Sequence, residues 1–287
     1  MRYNHHEYSV ADIGRDFTFA VMWHTSPYRE LDVTDPNDVI LAVNNAYRDM
    51  MPRTLSGLGL SGLDKINAKS ILVGEEAKEQ KKELLAKKEA LRQTKTDLLD
   101  TLRENLANAI VKQVFCAEGG PRFDDGIHAE LCEGFIADFV SKIHLLNDAI
   151  ADFNSHPFLK QPLATVDPKA VTYGKAQKIV NMTMKQLYCF ANALDYKESV
   201  FAFCHIPVDS IILAFFGLNG TVWSDMTSAK YNEVQEHCRA KWEEKTAERG
   251  VSGDFEKLFF AEFIIWDAGT EKKGKPRQTI DTIEIFA

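Results

Sequence analysis

Lys175, Lys178, Asn181 and Lys185 recur at spacings of three and four in the stretch GKAQKIVNMTMKQLYC, and His205 and Asp209 follow in CHIPVDS. Spacings of that kind bring side chains onto neighbouring positions of a helix surface. Lysines and an amide near a histidine and a carboxylate are the parts of an anion site. They become the parts of an acid–base site if burial shifts a pKa. Each residue also has a structural role open to it. His205 can satisfy the start of a short helix, Asp209 suits the positive first turn of that helix, and lysines along one face are ordinarily solvated. The sequence leaves both readings open.

Other chemistry-bearing residues form weaker patterns. His128 and Cys132 lie four apart, a spacing that can place two metal ligands on one helical face. Acidic residues flank them, but no second pair has metal-like spacing. Gly57, Gly59 and Gly62 match the dinucleotide-binding G-x-G-x-x-G pattern in GLGLSG. That motif needs a strand in front of it, and here a helix precedes it, so a flexible joint is expected. The frames G-x-S-x-G, H-E-x-x-H and S-x-x-K are absent. No catalytic, cofactor-binding or metal-ligating residue is assigned, and no cofactor is expected.

The formal net charge of −8 opposes a general nucleic-acid binder, which ordinarily carries a basic surface. It suits a basic protein partner instead. The five cysteines, Cys116, Cys132, Cys189, Cys204 and Cys238, are odd in number and form no C-x-x-C. The opening residues carry no apolar h-region, and no apolar run approaches the length of a membrane span. A cytoplasmic protein with reduced thiols is expected, with no membrane contact.

Local signals place the elements that must position these residues. Asp35, Pro36 and Asp38 mark a helix start, and Pro52 ends that helix. In the region 64–115, Leu84, Leu91 and Leu98 recur at seven, and Leu98, Leu102, Leu106 and Ile110 at four, so one long helix is expected. Its first half is Lys, Glu and Gln outside the leucines, too polar to be buried all round. It should project as an arm, pair with another helix through the seam Leu84, Leu91, Leu98 and Leu102, or do both. Leu131, Phe135, Phe139, Ile143 and Leu146 form the core stripe of the next helix. After a proline-rich connector, helices follow over about 168–194, from Pro207 in a first helical turn to Gly217 or Gly220, and from Ser228 to a stop at Gly250. The aromatic run 255–266 reads as helix or strand, and TIDTIEIF as a closing strand. The fold class is mainly α: a long projecting helical arm and a compact helical C-terminal domain, with room for a minor β element. The divisions are 1–63, 64–115 and 116–287.

The stretch Gly174 to Asp209 resembles a pattern found in uncharacterised bacterial and phage proteins, carried by Gly174, Lys175, Ala176, Gln177, Lys178, Asn181, His205, Pro207 and Asp209. No activity comes with that resemblance. In size, acidity and the pairing of a helical arm with a compact C-terminal half, the chain is similar to phage-encoded inhibitors of the Gabija defence complex. This likeness is one of organisation rather than motif. It implies a non-enzymatic homo-oligomer in the host cytoplasm that wraps a DNA-handling nuclease complex and blocks its access to DNA, without binding nucleic acid itself. Trp223, Trp242 and Trp266 are then either interface anchors or core residues. The other reading is an enzyme or a nucleotide- or anion-binding module built on Lys175, Lys178, His205 and Asp209.

Overall fold

A computed structural model describes residues 30–50, 76–157, 159, 162–191, 193–269 and 278–282. The apolar run 17–23, Gly57, Gly59 and Gly62, the side chain of Trp266 and the end of the expected closing strand lie outside these residues. The described chain is mainly helical, as the sequence predicts. A parallel bridge between Leu31 and Ala191 is the β structure among the described residues.

Helix α1, Pro36–Met50, starts where its signals place it. Asp35 accepts from the Asn37 N–H at 2.8 Å, and Asp38 reaches back to the Asp32 N–H at 2.9 Å. Val39, Ala42, Val43, Ala46 and Tyr47 form its buried stripe. Helix α2, Glu76–Ile110, is about 52 Å long at 1.5 Å per residue and ends in a π-helical turn, Val111–Phe115. Asp124 caps helix α3, Asp125–Asn154, by accepting from the Ile127 N–H.

Helices α2 and α3 run antiparallel along each other. Lys87 pairs with Asp152 at 2.9 Å, and Asn105 donates to Asp138 at 2.8 Å. Helix α2 also packs on α1. Leu84, Leu91, Leu98 and Leu102 are buried in these contacts, together with the expected α3 stripe. The seam read as an interface with another chain is thus closed by this chain's own helices. The arm does not project bare. The physical reason is the narrowness of the stripe: the neighbouring helices α3 and α1 hide it while the charged sides stay in water. From α3, the Asn147 amide both donates to and accepts from Val166, and the Asn154 amide does the same with Leu163, all at 2.8–3.0 Å. The two amides replace the strand partner that the extended connector lacks.

Helix α4, Tyr173–Phe190, is shorter than the expected 168–194, because residues 168–170 form a turn and Thr172 caps the helix. It is surrounded by other elements, and nearly every side chain on it is buried. A Cβ on Gly174 would sit 1.9 Å from the Trp223 carbonyl oxygen. Only glycine lets that turn close on α4, where the Gly174 N–H donates to Met226 O. Helix α5, Ser210–Phe215, begins at its cap Asp209 and stops at Gly217, whose φ is +75°; Pro207 lies before the helix rather than in it. Helix α6, Ser228–Arg249, ends at Gly250 with φ +64°. The aromatic run resolves as helix α7, Leu258–Gly269, and residues 280–282 of the expected strand form a turn. Buried residues from α1 to α7 belong to one connected core.

Leu91→Ala should lower the unfolding free energy by about 2–5 kcal/mol. Leu85, 42% exposed, should tolerate alanine within about 0.5 kcal/mol. Urea unfolding followed by circular dichroism measures both; a small effect at Leu91 would return the seam to the surface.

Candidate functional site

The residues expected to form one cluster divide into four separate groups. Lys178 pairs with Asp209 at 3.3 Å, both side chains 14% exposed, and its ammonium lies 4.8 Å from the Trp223 ring centroid. Asp209 also accepts from the Ile211 and Ile212 N–H groups. Burial pushes its carboxyl up, but Lys178 and those two donors outweigh burial and hold it below the usual value. Lys185 pairs with Glu262 at 3.1 Å in the interior, where burial raises the Glu262 carboxyl against the pull of Lys185. Lys175 folds back to the Ala170 carbonyl at 2.6 Å. Asn181 and His205 belong to a separate network.

Both sequence readings are therefore corrected in part. Lys178, His205 and Asp209 do not converge on one site. The lysines are not a solvated face either, because α4 is enclosed and each buried ammonium needs an acceptor. His205 does not satisfy a helix start. Asp209 does, as its cap.

The network holding His205 is centred on the Tyr231 hydroxyl of α6, and backbone groups fix its polarity. Gln177 Nε2 reaches Gly174 O and Val208 O, which can only accept, so its Oε1 must accept from Asn181 Nδ2 at 3.0 Å. Gln235 Nε2 likewise donates to Ile206 O at 2.7 Å. The second hydrogens of these two amides point at the Tyr231 oxygen, from Asn181 at 2.8 Å and Gln235 at 2.9 Å. With its acceptor capacity filled, Tyr231 has one proton to donate. It goes to His205 Nδ1 at 3.0 Å, closer than His128 Nε2 at 3.3 Å. His205 is then protonated on Nε2, which donates to Asp125 Oδ1 at 2.6 Å.

Around this line the rings stack. His128 lies 4.2 Å from His205 and 5.1 Å from Tyr231 between centroids. Cys132 Sγ is 3.6 Å from His128 Nε2, so the pair flagged by spacing does meet. Among the described residues, no group of three or more His, Cys, Asp or Glu is arranged to hold a metal ion. Burial, then the neighbouring His205, pushes the His128 pKa well below its usual 6.5. Burial also lowers His205, against the opposing pull of Asp125, and raises the Tyr231 phenol. The hydrogen bond from His205 outweighs desolvation at Asp125 and brings its carboxyl down to about 2.

Asp125 stands where the network meets a cleft of about 630 Å³. Its side chain is 72% exposed, whereas that of His205 is 2% exposed. Gln235, Arg239 and Glu243 of α6 share the lining with Phe203, Cys204 and Ile206 and with Leu258 and Phe259 from α7. Arg239 approaches Asp125 at 3.5 Å. The order hydroxyl–imidazole–carboxylate is that of a hydrolytic triad, but turned around: the hydroxyl is buried and the carboxylate faces the opening. Tyr231 cannot reach a substrate, and both His205 nitrogens are occupied. Cys204 reaches the cleft, but burial raises its thiol well above the usual value, so it is no thiolate nucleophile. What the cleft offers is a fixed negative charge.

Tyr231, Gln235 and Arg239 were not singled out from the sequence, and Asp125 entered only as one of the acidic residues flanking His128 and Cys132. Gln235 did leave a signal, a lone amide within the apolar stripe Tyr231, Val234, Cys238 and Trp242 of α6. Trp242 is fully buried and donates to Phe255 O, so it is core rather than an interface anchor.

The buried imidazoles make stability depend on pH. Their values return toward 6.5 on unfolding, so between the depressed native values and 6.5 the unfolded chain binds more protons. Stability should be complete above about pH 6.5 and fall as the pH drops through and below it. Thermal unfolding over this range measures the slope, and His128→Asn should flatten it even if less stable throughout. An unchanged slope would mean that His128 does not enter the native state neutral.

Among the described residues, no helix is long and apolar enough to cross a membrane. Comparisons with protein-family models, curated proteins and solved structures return no match for this chain.

Proposed function

We propose that this chain is a non-enzymatic binding protein that acts by occupying the surface of a partner. One observation carries the reading: among the described residues, the clustered groups suited to acid–base chemistry, Lys178, Lys185 and His205, are closed on partners within the chain. Lys178 is joined to Asp209, Lys185 to Glu262, and His205 to both Tyr231 and Asp125. Occlusion needs shape and charge rather than a free base or nucleophile. The net charge of −8 favours a basic partner through long-range attraction. In its finer form, the reading makes that partner a DNA-handling host complex which this chain, as a phage-encoded homo-oligomer in the host cytoplasm, keeps from its substrate. That form rests on the likeness of organisation to Gabija inhibitors. The leucine seam, being internal, is not the contact surface.

The alternative reading, an enzyme or anion-binding module on Lys175, Lys178, His205 and Asp209, requires those groups to open toward a ligand. The test is capture of a partner by the tagged chain from bacterial cells, followed by native mass measurement and salt titration. The expected result is a defined complex whose affinity falls with salt, as screening of opposite charges requires. His205→Gln, if it retains the wild-type circular dichroism, should capture the same complex. Turnover of a nucleotide or phosphoester by the purified chain, lost in folded His205→Gln, would overturn the proposal.

A further inference from the structure

The cleft beside Asp125 has a directional chemistry that partner binding by overall charge does not explain. Gln235 is 2% exposed, and both hydrogens of its Nε2 point inward, to Ile206 O and the Tyr231 hydroxyl. Its orientation is fixed by the Ile206 carbonyl, which cannot donate. This leaves Oε1 on the cleft wall with no donor among the described residues. It is not among the buried polar atoms sealed off without a partner, so it is an acceptor that a donor can reach from the cleft. Asp125 is the second fixed acceptor. The His205 N–H holds one oxygen and keeps the group ionised, while the side chain stays largely open.

The donors in the cleft are less constrained. Arg239, 41% exposed, already faces Asp125, and Lys257 is on the exposed rim. Asp124, Glu243 and Glu256 add further carboxylates to the lining, so acids outnumber bases there. The remaining wall is apolar, formed by Ile206, Leu258 and Phe259, with Phe203 56% exposed beside it. An exposed aromatic face next to anionic acceptors favours a cation.

We infer that this cleft binds an organic cation, an ammonium or guanidinium head on an apolar stem, with the head on Asp125 and Gln235 Oε1 and the stem against Phe203 and Ile206. The shared chemistry has two sources, a free amine or a basic side chain of a protein partner. The inference goes beyond the binding role proposed above and stands without it, since it concerns the isolated chain.

The experiment is isothermal titration of the purified full chain with phenethylamine, phenethyl alcohol and phenylacetate. The amine should bind at least tenfold more tightly than the neutral alcohol, and the acid should not bind, since a hydrogen bond to a charged group exceeds the 1.4 kcal/mol that corresponds to about tenfold. Asp125→Asn keeps an acceptor for His205 and should lose about tenfold in amine affinity. Phe203→Ala, at an exposed position, should weaken the amine and the alcohol together without altering thermal unfolding. Acetyl-Leu-Arg-Leu-amide, compared with the same peptide carrying norleucine for arginine, tests the second source. Preference for the arginine peptide over phenethylamine assigns a partner side chain, and the reverse assigns a small amine; both uphold the inference. Equal affinity for amine and alcohol, tighter binding of phenylacetate, unchanged amine affinity in Asp125→Asn, or no amine or arginine-peptide binding at millimolar concentration would each overturn it. Failure here would leave partner capture from cells untouched, and the reverse also holds.

Discussion

A helix enclosed on every side can carry lysines and amides only if each finds a partner across the packing interface. Helix α4 is such a helix, and this constraint organises the C-terminal half of the molecule. Lys178 requires Asp209, which in turn starts α5; Lys185 requires Glu262, which sets α7 against α4. Gln177 requires the Val208 carbonyl, and Asn181 requires Gln177 and the Tyr231 hydroxyl. Removing one member of such a set leaves a buried group without a partner, a larger loss than the bond itself. The polar pattern therefore specifies the arrangement of four segments rather than adding to the core's apolar attraction.

Pairing in the N-terminal half works through shape instead. The leucine seam of α2 is narrow and is covered by α3 and α1, while its charged flanks remain wet. Asn147 and Asn154 then hold the connector against α3 with bonds that mimic a strand pair. The connector brings the chain from the end of the hairpin to the Thr172 cap, and so sets where α4 enters the core. Leu31, bonded to the Phe190 carbonyl, holds the other end.

The Tyr231 network links these halves to a surface. Its amides, hydroxyl and imidazole form one directed line that ends on Asp125, at the first turn of α3. Function follows from the direction of that line. A buried hydroxyl and an exposed carboxylate make a poor nucleophile and a well-anchored charge, which is why binding rather than catalysis is the reading proposed. Preorganised acceptors on an apolar cleft select by charge sign and stem shape without performing a reaction.

Much of the helical layout was legible from the residues alone because caps and apolar periodicity are local. Asp35 and Pro36, Gly217 and Gly250, the stripe Leu131 to Leu146 and the seam Leu84 to Leu102 each depend on neighbours a few positions away. The site was less legible. Lys178, Asn181, His205 and Asp209 stood out by type, but which of them meet depends on how α4, α6 and the 204–209 segment cross. That crossing is decided by buried carbonyls, a hydroxyl and the close approach at Gly174, none of which has a periodic signature. Sequence by itself determined where the helices start, stop and hide their apolar faces, since those are short-range properties of the chain. Only the tertiary structure decided that the leucine seam closes inward, that the lysines are paired, and that Asp125 and Gln235 face one cleft, because each of those facts joins residues far apart in the chain.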